Sequence, residues 1–321
     1  MSITKEESYT PTLNIIDFVE SLFGLSFSKS YGDNGLYPVQ KFVLKLMFGL
    51  PLDDQNHTIK IPIWWQKSQS NRKWDYHRLT EEDYLQYLLD DGRVSLPSEK
   101  GSASVTALVM GRQSGTSTLL NFCALYNVYC HLENPHPWQD QGLELDSLLE
   151  VGVLDPTLDM STHRSSQLEE FLDECDFLKN RKTNSTRLTT YFDRPFKDEK
   201  GKNKVRLSAH HLKDSNTIRG RTCTHLYLDN SDHIEDDMVQ EILPSITDSF
   251  VFSTYQPVLE TPFHEAFEEV SNEPSGLSLR IPSWELNPTI SSDILRKRRD
   301  SLGKEVFECH YGAKFIESRF L

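Results

Sequence analysis

Six short apolar runs, separated by segments of helical periodicity, occupy the chain between residues 105 and 281. We predict strands at residues 105–110, 157–160, 205–207, 225–228, 250–252 and 279–281. Helices are predicted after the first run, through about Tyr129, and across residues 167–177. Strands that alternate with helices build βαβ units, whose strands lie parallel in one sheet. The pattern therefore predicts an α/β fold with a mainly parallel sheet flanked by helices.

The elements predicted on either side of this region are mainly helices, apart from a polar, irregular stretch at residues 52–75. Helical spacing of apolar residues predicts helices at residues 13–23 and 37–47, and Thr80 before three acidic residues predicts a helix through Leu89. A β-like stretch lies at residues 59–65, and a charged hairpin or loop is predicted at residues 193–203. The last predicted helix, residues 290–307, carries four consecutive basic residues at 296–299.

Charge and cysteine content narrow the classes of function. The 321 residues include 34 Lys or Arg and 48 Asp or Glu, a formal net charge of −14. This balance argues against a surface coated with nucleic-acid-binding charge, although it is compatible with a local basic groove. Five cysteines without a CxxC pair indicate reduced thiols in an intracellular protein and argue against structural zinc. We expect neither a secretory signal nor a membrane span, because no apolar run approaches the roughly 20 residues needed to span a bilayer.

The strongest local motif is the turn of residues 110–118, which follows a predicted strand and opens a predicted helix. Gly111 and Gly115 allow the backbone to turn tightly and approach phosphates, while the amides and the helix N-terminus supply positive potential. Ser117 is placed to hold Mg²⁺. A Walker A motif has Lys where this chain has Thr116, so an ordinary Gly/Ser turn is the competing interpretation.

A second motif is an apolar strand that ends in Asp229. This is the Walker B form, in which the Asp orders Mg²⁺. Asn230 stands where Glu normally polarises the attacking water and cannot accept a proton, and Asp232 is a poor substitute. The competing interpretation is a strand that ends in an Asx turn. Ser253 and Thr254, at the end of a later strand, are hydroxyls of the kind that sense a γ-phosphate.

The order and spacing of these motifs resemble the ATPase half of the large terminase subunit, the DNA-packaging motor of tailed phages. The resemblance extends from about residue 36 to residue 317. Residues 36–40 are similar to the family's adenine-reading segment, and residues 111–118 are similar to its Walker A, with Arg at the second position. Arg219-Gly220 matches an Arg-Gly pair that precedes the Walker B strand in the family, and Ser253-Thr254 matches the coupling motif that follows it. Residues 281–288 and 307–315 are similar to the segments that close the ATPase half.

The resemblance implies an ATP site that uses Mg²⁺. The nucleotide-binding residues that it implies are Gln40 on the adenine, and Gly111, Arg112, Gln113, Ser114, Gly115, Thr116, Ser117 and Thr118. It places Mg²⁺ on Ser117 and Asp229. The catalytic residues that it implies are Arg112, Asp229, Asn230, Ser253 and Thr254, of which the last two couple hydrolysis to movement.

The resemblance also implies an assembly and a place of action. The expected partners are duplex DNA, the portal protein and the small terminase subunit, with the chain in a homo-oligomeric ring in the host cell cytoplasm and no membrane partner. Arg219 either has a phosphate-sensing or DNA-coupling role or lies in a solvated loop, and the basic residues 296–299 either contact DNA or form a solvated helix face. We expect a P-loop NTPase-type core at residues 96–285, a helical lid or N-terminal subdomain at residues 1–95, and a C-terminal helical segment at residues 286–321.

Two departures from the family pattern leave the function open. Thr116 replaces the catalytic Lys and Asn230 replaces the catalytic Glu, and both changes weaken γ-phosphate cleavage. Arg112, or an Arg from a neighbouring subunit, could restore part of the charge.

The first hypothesis is an ATPase that drives DNA translocation into a procapsid. The alternative is a catalytically degenerate terminase-like protein that serves as a structural or regulatory nucleotide-binding partner. We expect no endonuclease activity, because the chain stops near where that family's nuclease half begins; a nuclease encoded on a separate chain is a third interpretation.

Overall fold

A computed structural model describes residues 10–23, 36–62, 76–98, 102–144, 147–195, 204–211, 222–231 and 245–320. Four features of the sequence lie outside these residues: Arg219-Gly220, Asp232, the end of the β-like stretch at residues 63–65, and most of the predicted loop at 193–203.

The described residues form a nine-stranded sheet whose six central strands are parallel. In spatial order the strands are β3 (Val94–Ser95), β11 (Gly276–Ile281), β4 (Val105–Met110), β10 (Ile246–Thr254), β9 (Cys223–Leu228), β5 (Leu149–Asp155), β8 (Lys204–His211), β7 (Thr189–Asp193) and β6 (Lys182–Ser185). The strands at the two edges pair antiparallel with their neighbours. A separate antiparallel hairpin consists of β1 (Ile59–Pro62) and β2 (Tyr76–Leu79). This architecture confirms the predicted α/β class with a mainly parallel sheet.

Helices cover both faces of the sheet. They are α1 (Ile15–Leu22), α2 (Pro38–Met47), α3 (Glu81–Asp90), α4 (Thr116–Glu133), α5 (Pro137–Asp140), α6 (Leu158–Glu174), α7 (Asp176–Lys179), α8 (Pro262–Asn272), α9 (Ser283–Leu286), α10 (Ser292–Leu302) and α11 (Lys304–His310), followed by a 3₁₀ turn, Ser318–Phe320. Leu108 and Met110 of β4 join the apolar cluster of α4 and α6, whereas Ala107 and Val109 join that of α8. Burial on both faces explains why β4 is apolar almost throughout. No described helix is both long enough and apolar enough to cross a membrane.

The N-terminal helices share the larger hydrophobic cluster with the sheet. Phe18 of α1 packs on Tyr126 and Tyr129 of α4, with ring centroids 5.4 and 5.1 Å apart. Phe42 of α2 packs edge-on against Tyr84 of α3 at 4.9 Å. The small helical subdomain therefore rests on the face of the sheet that carries α4. The three-part division at residues 95 and 285 stays a prediction.

The second strand lies earlier in the chain than the sequence predicted. The strand prediction at residues 157–160 is wrong: Thr157 is the N-cap of α6, and β5 precedes it. The apolar pattern of β5 is interrupted by Glu150, which is 1% exposed. Arg206 and Ser208 of the neighbouring strand β8 both donate hydrogen bonds to its carboxylate. Because those partners are distant in sequence, the local pattern cannot indicate that Glu150 is buried.

The predicted final helix at residues 290–307 is two helices. Gly303 separates α10 from α11 with a φ of 81°, a backbone conformation that interrupts a helix and that glycine adopts readily. The strands β6 and β7, which extend one end of the sheet in antiparallel pairing, were not predicted. Helices α1 to α3 and strands β4, β8, β9, β10 and β11 overlap the predicted positions.

Candidate functional site

The carboxyl ends of three neighbouring parallel strands, β4, β10 and β9, meet at one edge of the sheet. The segments that follow or end these strands enclose a cavity of about 160 Å³. Eleven of the predicted site residues line this cavity, namely Gly111, Arg112, Gln113, Ser114, Gly115, Thr116, Ser117, Asp229, Asn230, Ser253 and Thr254. Three motifs thus converge on one site, although the loop lies more than a hundred residues before the other two in sequence.

In the loop after β4, residues 111–115, the amides of Gly111 and Arg112 donate to the carbonyls of Ile281 and His310, whereas the later amides face no protein acceptor in the described structure. Gln113 and Gly115 have φ values of 64° and 84°, so the chain turns tightly before α4 begins. Within the described part of the chain, the amides of residues 113–117 donate to no protein acceptor. Free amides at the N-terminus of an 18-residue helix attract anions. The loop can therefore bind phosphate through its backbone, while Thr118 lies inside α4 and does not line the cavity.

Gln40 lies behind the loop rather than in the cavity. Its side chain is buried; Nε2 donates to the Ser114 carbonyl at 2.9 Å, and Oε1 accepts from the Tyr37 amide at 3.1 Å. A Cβ at Gly115 would lie only 2.8 Å from Gln40 Nε2. The contact between α2 and the loop therefore depends on glycine at this position. The adenine contact of Gln40 stays a prediction.

Asp229 lies at the centre of a buried polar cluster and accepts four hydrogen bonds. Its Oδ2 accepts from Ser117 Oγ at 2.5 Å and from Arg164 Nη2. Its Oδ1 accepts from Ser253 Oγ at 2.9 Å and from the Asn230 amide at 3.0 Å. Burial acts to raise the pKa of Asp229, but the Arg164 guanidinium and the side-chain hydrogen bonds outweigh it, and the pKa lies below its ordinary value. The group is therefore held as a carboxylate.

Arg164 of α6 is a site residue that the sequence analysis missed. Besides Asp229, its buried guanidinium bonds both oxygens of Asp155 at 2.8 and 3.4 Å, the Ser117 carbonyl at 3.0 Å and Asn121 Oδ1 at 3.3 Å. Burial acts to lower the pKa of Arg164, but the two carboxylates outweigh it and raise the pKa. Burial raises the pKa of Asp155, and Arg164 offsets this only in part. Arg164 thus ties the loop helix to the ends of β5 and β9.

Ser117 and Asp229 together offer the oxygen donors that Mg²⁺ prefers. Their hydroxyl and carboxylate oxygens are 2.5 Å apart at the wall of the cavity. Mg²⁺ in nucleotide sites is bound through one or two protein oxygens and otherwise keeps waters and phosphate oxygens. No cluster of three or more His, Cys, Asp or Glu suited to a metal occurs among the described residues. The pair therefore fits an Mg²⁺ ion that enters together with phosphates.

The two departures from the Walker pattern are visible in the cavity wall. Thr116 Oγ1 lies 2.7 Å from Ser114 Oγ, so this position offers a neutral hydroxyl in place of an ammonium group. Asn230 has a φ of 55° and carries no proton-accepting carboxylate. Arg112 is exposed, and its guanidinium carbon lies 4.5 Å from the centroid of the Tyr255 ring. The positive side-chain charge on the loop therefore comes from an arginine at its edge.

Two solved structures that share this fold are forms of the large terminase ATPase domain of Thermus phage P74-26. One aligns with a TM-score of 0.51 and 18% sequence identity over 68% of this chain and 90% of that chain. A point-mutant form of the same domain aligns with a TM-score of 0.51 and 17% identity over 67% and 90%. No protein-family model matches the chain. No curated protein matches it either. At this identity the likeness establishes the fold, and the resemblance inferred from the motifs is confirmed at that level.

Proposed function

We propose that this chain is a terminase-like, ATP-binding domain of a phage genome-packaging motor. The observation that carries the proposal is the convergence, around one cavity, of the free loop amides, the Ser117–Asp229 pair and the hydroxyls of Ser253 and Thr254. The chain has the fold of a terminase ATPase domain, which supports the same assignment.

In this proposal the loop amides of residues 113–117 bind the phosphate oxygens of ATP, and the N-terminus of α4 adds its favourable potential. Ser117 would hold Mg²⁺ through its hydroxyl oxygen, and Asp229 would keep its hydrogen bond from that hydroxyl. Bound Mg²⁺ neutralises the phosphate charge and orients the chain of phosphates. Arg164 keeps Asp229 ionised and fixed in position from behind.

A packaging motor must also cleave the γ-phosphate and move DNA. The four hydrogen bonds to Asp229 occupy its oxygens, and Asn230 cannot take a proton from the attacking water. We therefore expect slow hydrolysis that depends on Arg112 or on an arginine from a neighbour in the ring. In the assembled motor we expect duplex DNA, the portal protein and the small terminase subunit as partners.

The exposed basic positions of α10, Arg296, Lys297 and Arg298, are the described residues that we expect to contact the DNA backbone. Such contacts hold a duplex through its phosphates without reading its sequence. Arg296 also lies 3.7 Å from the exposed carboxylate of Asp293, an interaction that solvent screens.

A second candidate function is a catalytically degenerate terminase-like partner that binds nucleotide for structural or regulatory purposes. The observation that favours it is the paired loss of charge at Thr116 and Asn230, next to a phosphate loop whose other features are retained. Under this alternative, nucleotide binding persists but turnover stays at background even in the assembled ring.

ATP turnover by the purified chain, with duplex DNA and the ring partners, separates the two functions. The motor proposal predicts turnover above background that Asp229→Ala abolishes, while Asp159→Ala, which removes an exposed carboxylate of α6, leaves turnover unchanged. Turnover at background with intact ATP binding would favour the degenerate partner instead. Thr116→Lys combined with Asn230→Glu should raise turnover if the cavity lacks only those two groups; no gain would show that its geometry is unsuited to hydrolysis.

A further inference from the structure

Three consecutive carbonyl groups of the phosphate loop are each held by a side chain from elsewhere in the protein. Ser283 Oγ donates to the Arg112 carbonyl at 2.6 Å, and Asn287 Nδ2 donates to the Gln113 carbonyl at 2.8 Å. The Ser114 carbonyl accepts from Gln40 Nε2 of α2 at 2.9 Å. Two of the three donors belong to α9 and its C-cap, a segment that does not line the cavity.

The planarity of the peptide bond converts these contacts into a constraint on the amides. In a trans peptide the carbonyl of one residue and the amide N–H of the next point in opposite directions. Fixing the carbonyls of residues 112–114 therefore turns the N–H groups of residues 113–115 to the side away from the donors. These N–H groups are among those with no protein acceptor in the described structure, and their residues line the cavity.

The donor side chains are themselves fixed. Asn287 Oδ1 accepts from the Thr289 amide at 3.1 Å and from Thr289 Oγ1 at 2.6 Å, so its NH₂ group must face the loop. Ser283 and Asn287 are one helical turn apart, which places both on the same side of α9. The loop approaches α9 so closely that a Cβ at Gly111 would lie 2.3 Å from Ser283 Oγ.

We propose that Ser283 and Asn287 are positioning residues of the phosphate site, which hold the loop peptides so that their amides face the phosphates of the bound nucleotide. This inference rests on the proposed function. It assigns to α9 a part of phosphate recognition although neither side chain touches the ligand. The orientation of the amides matters more here than in a loop that contains a lysine, because Thr116 brings no charge and the amides must supply more of the attraction for the phosphates.

The test measures binding of Mg²⁺·ATP and of inorganic pyrophosphate by calorimetry, together with the unfolding temperature with and without ligand. Asn287→Asp replaces the donor by an acceptor that repels the Gln113 carbonyl. We expect it to weaken the binding of both ligands about tenfold, the effect of losing one hydrogen bond between a loop amide and a charged phosphate oxygen. Ser283→Ala should weaken both several-fold. Thr289→Val, which removes the hydroxyl that orients the amide, should have a smaller effect of the same sign.

Two matched variants serve as controls, because each alters the same kind of group away from the loop. Asn272→Asp changes an exposed amide that bonds the Glu268 carbonyl of its own helix, and Ser98→Ala removes an exposed hydroxyl that bonds the Pro274 carbonyl. Both controls should bind ATP and pyrophosphate as the wild type does. A positioning role lowers the ligand-induced rise in unfolding temperature while the ligand-free unfolding temperature stays in the range of the controls.

Two results would overturn the inference in distinguishable ways. If the wild type binds ATP and pyrophosphate and the Asn287→Asp and Ser283→Ala variants bind them equally well, the positioning role is wrong and the proposed function stands. If the wild type itself binds neither ligand, the proposed function fails, and the positioning role fails with it.

Discussion

Replacing the buried Arg164 with methionine should destabilise the protein strongly. Arg164 is 4% exposed and lies between Asp155 and Asp229, which are 1% and 3% exposed. Methionine retains much of the aliphatic stem but leaves two buried carboxylates without their common cation. Removing one partner of a buried ion pair costs about 3–5 kcal/mol, and we expect Arg164→Met to lower the free energy of unfolding by about that amount at pH 7.

The same variant should have a characteristic pH dependence. Arg164 lowers the pKa of both Asp155 and Asp229, so its removal raises both values in the folded state. A carboxyl whose pKa is raised on folding destabilises the protein at high pH, and this penalty disappears as the pH falls and the group is protonated. The stability deficit relative to the wild type should therefore be smaller at pH 5 than at pH 7. Adding Asp155→Asn should recover part of it at pH 7.

Urea denaturation of the wild type and the variants at both pH values measures these differences. Arg298→Met, which removes an exposed guanidinium of α10, is the control and should change the unfolding free energy by less than about 0.5 kcal/mol. A deficit for Arg164→Met below about 1 kcal/mol, far short of the cost of an unpaired buried charge, would refute the reasoning, as would a deficit that does not depend on pH.

Two further predictions concern buried histidines and the close packing of the loop. Burial lowers the pKa of His225 to about 3 and that of His131 well below its ordinary value, so both stay neutral when folded, while the unfolded chain takes up protons below about pH 6.5. Each histidine should therefore lower the free energy of unfolding by about 1.4 kcal/mol when the pH falls from 7.5 to 5.5. The loss should be visible in urea midpoints and should be smaller in His131→Gln and His225→Gln. Gly111→Ala should destabilise by about 1–3 kcal/mol and weaken ATP binding, because its Cβ would lie 2.3 Å from Ser283 Oγ. Gly142→Ala, at φ 63° in open space, should lower the unfolding temperature only through backbone strain and leave ATP binding unchanged.

The tight turn of the loop could be predicted from the sequence because it depends only on residues that are adjacent in the chain. Gly111 and Gly115 mark a tight turn between a strand and a helix, and Asp229 marks the end of an apolar strand. The family resemblance placed Ser117 and Asp229 on the same Mg²⁺ ion, and the structure brings both motifs to one cavity, because neighbouring parallel strands end at the same edge of the sheet. Their roles toward a nucleotide stay predictions.

What the sequence could not reveal are contacts between charged groups distant in the chain. Arg164 occurs in a helical pattern of mixed polarity, where an arginine indicates a solvent-facing position; only the approach of β5, β9 and α4 makes it a buried cation. The same limit hid β5, whose Glu150 is paired with a neighbouring strand. The donors of α9 were also out of reach, because Ser283 and Asn287 act through main-chain carbonyls, which carry no residue-specific signal.

The measurement that tests the central claim most directly is a calorimetric titration of the wild-type chain with ATP in the presence and absence of Mg²⁺. We predict one binding site per chain, tighter binding with Mg²⁺, and at least about a tenfold loss of affinity on Ser117→Ala, which removes the hydroxyl donor to the ion. Ser166→Ala, which removes a helical hydroxyl that bonds only its own helix, should bind as the wild type does. Absence of ATP binding by the wild type, or equal binding by Ser117→Ala, would contradict the account.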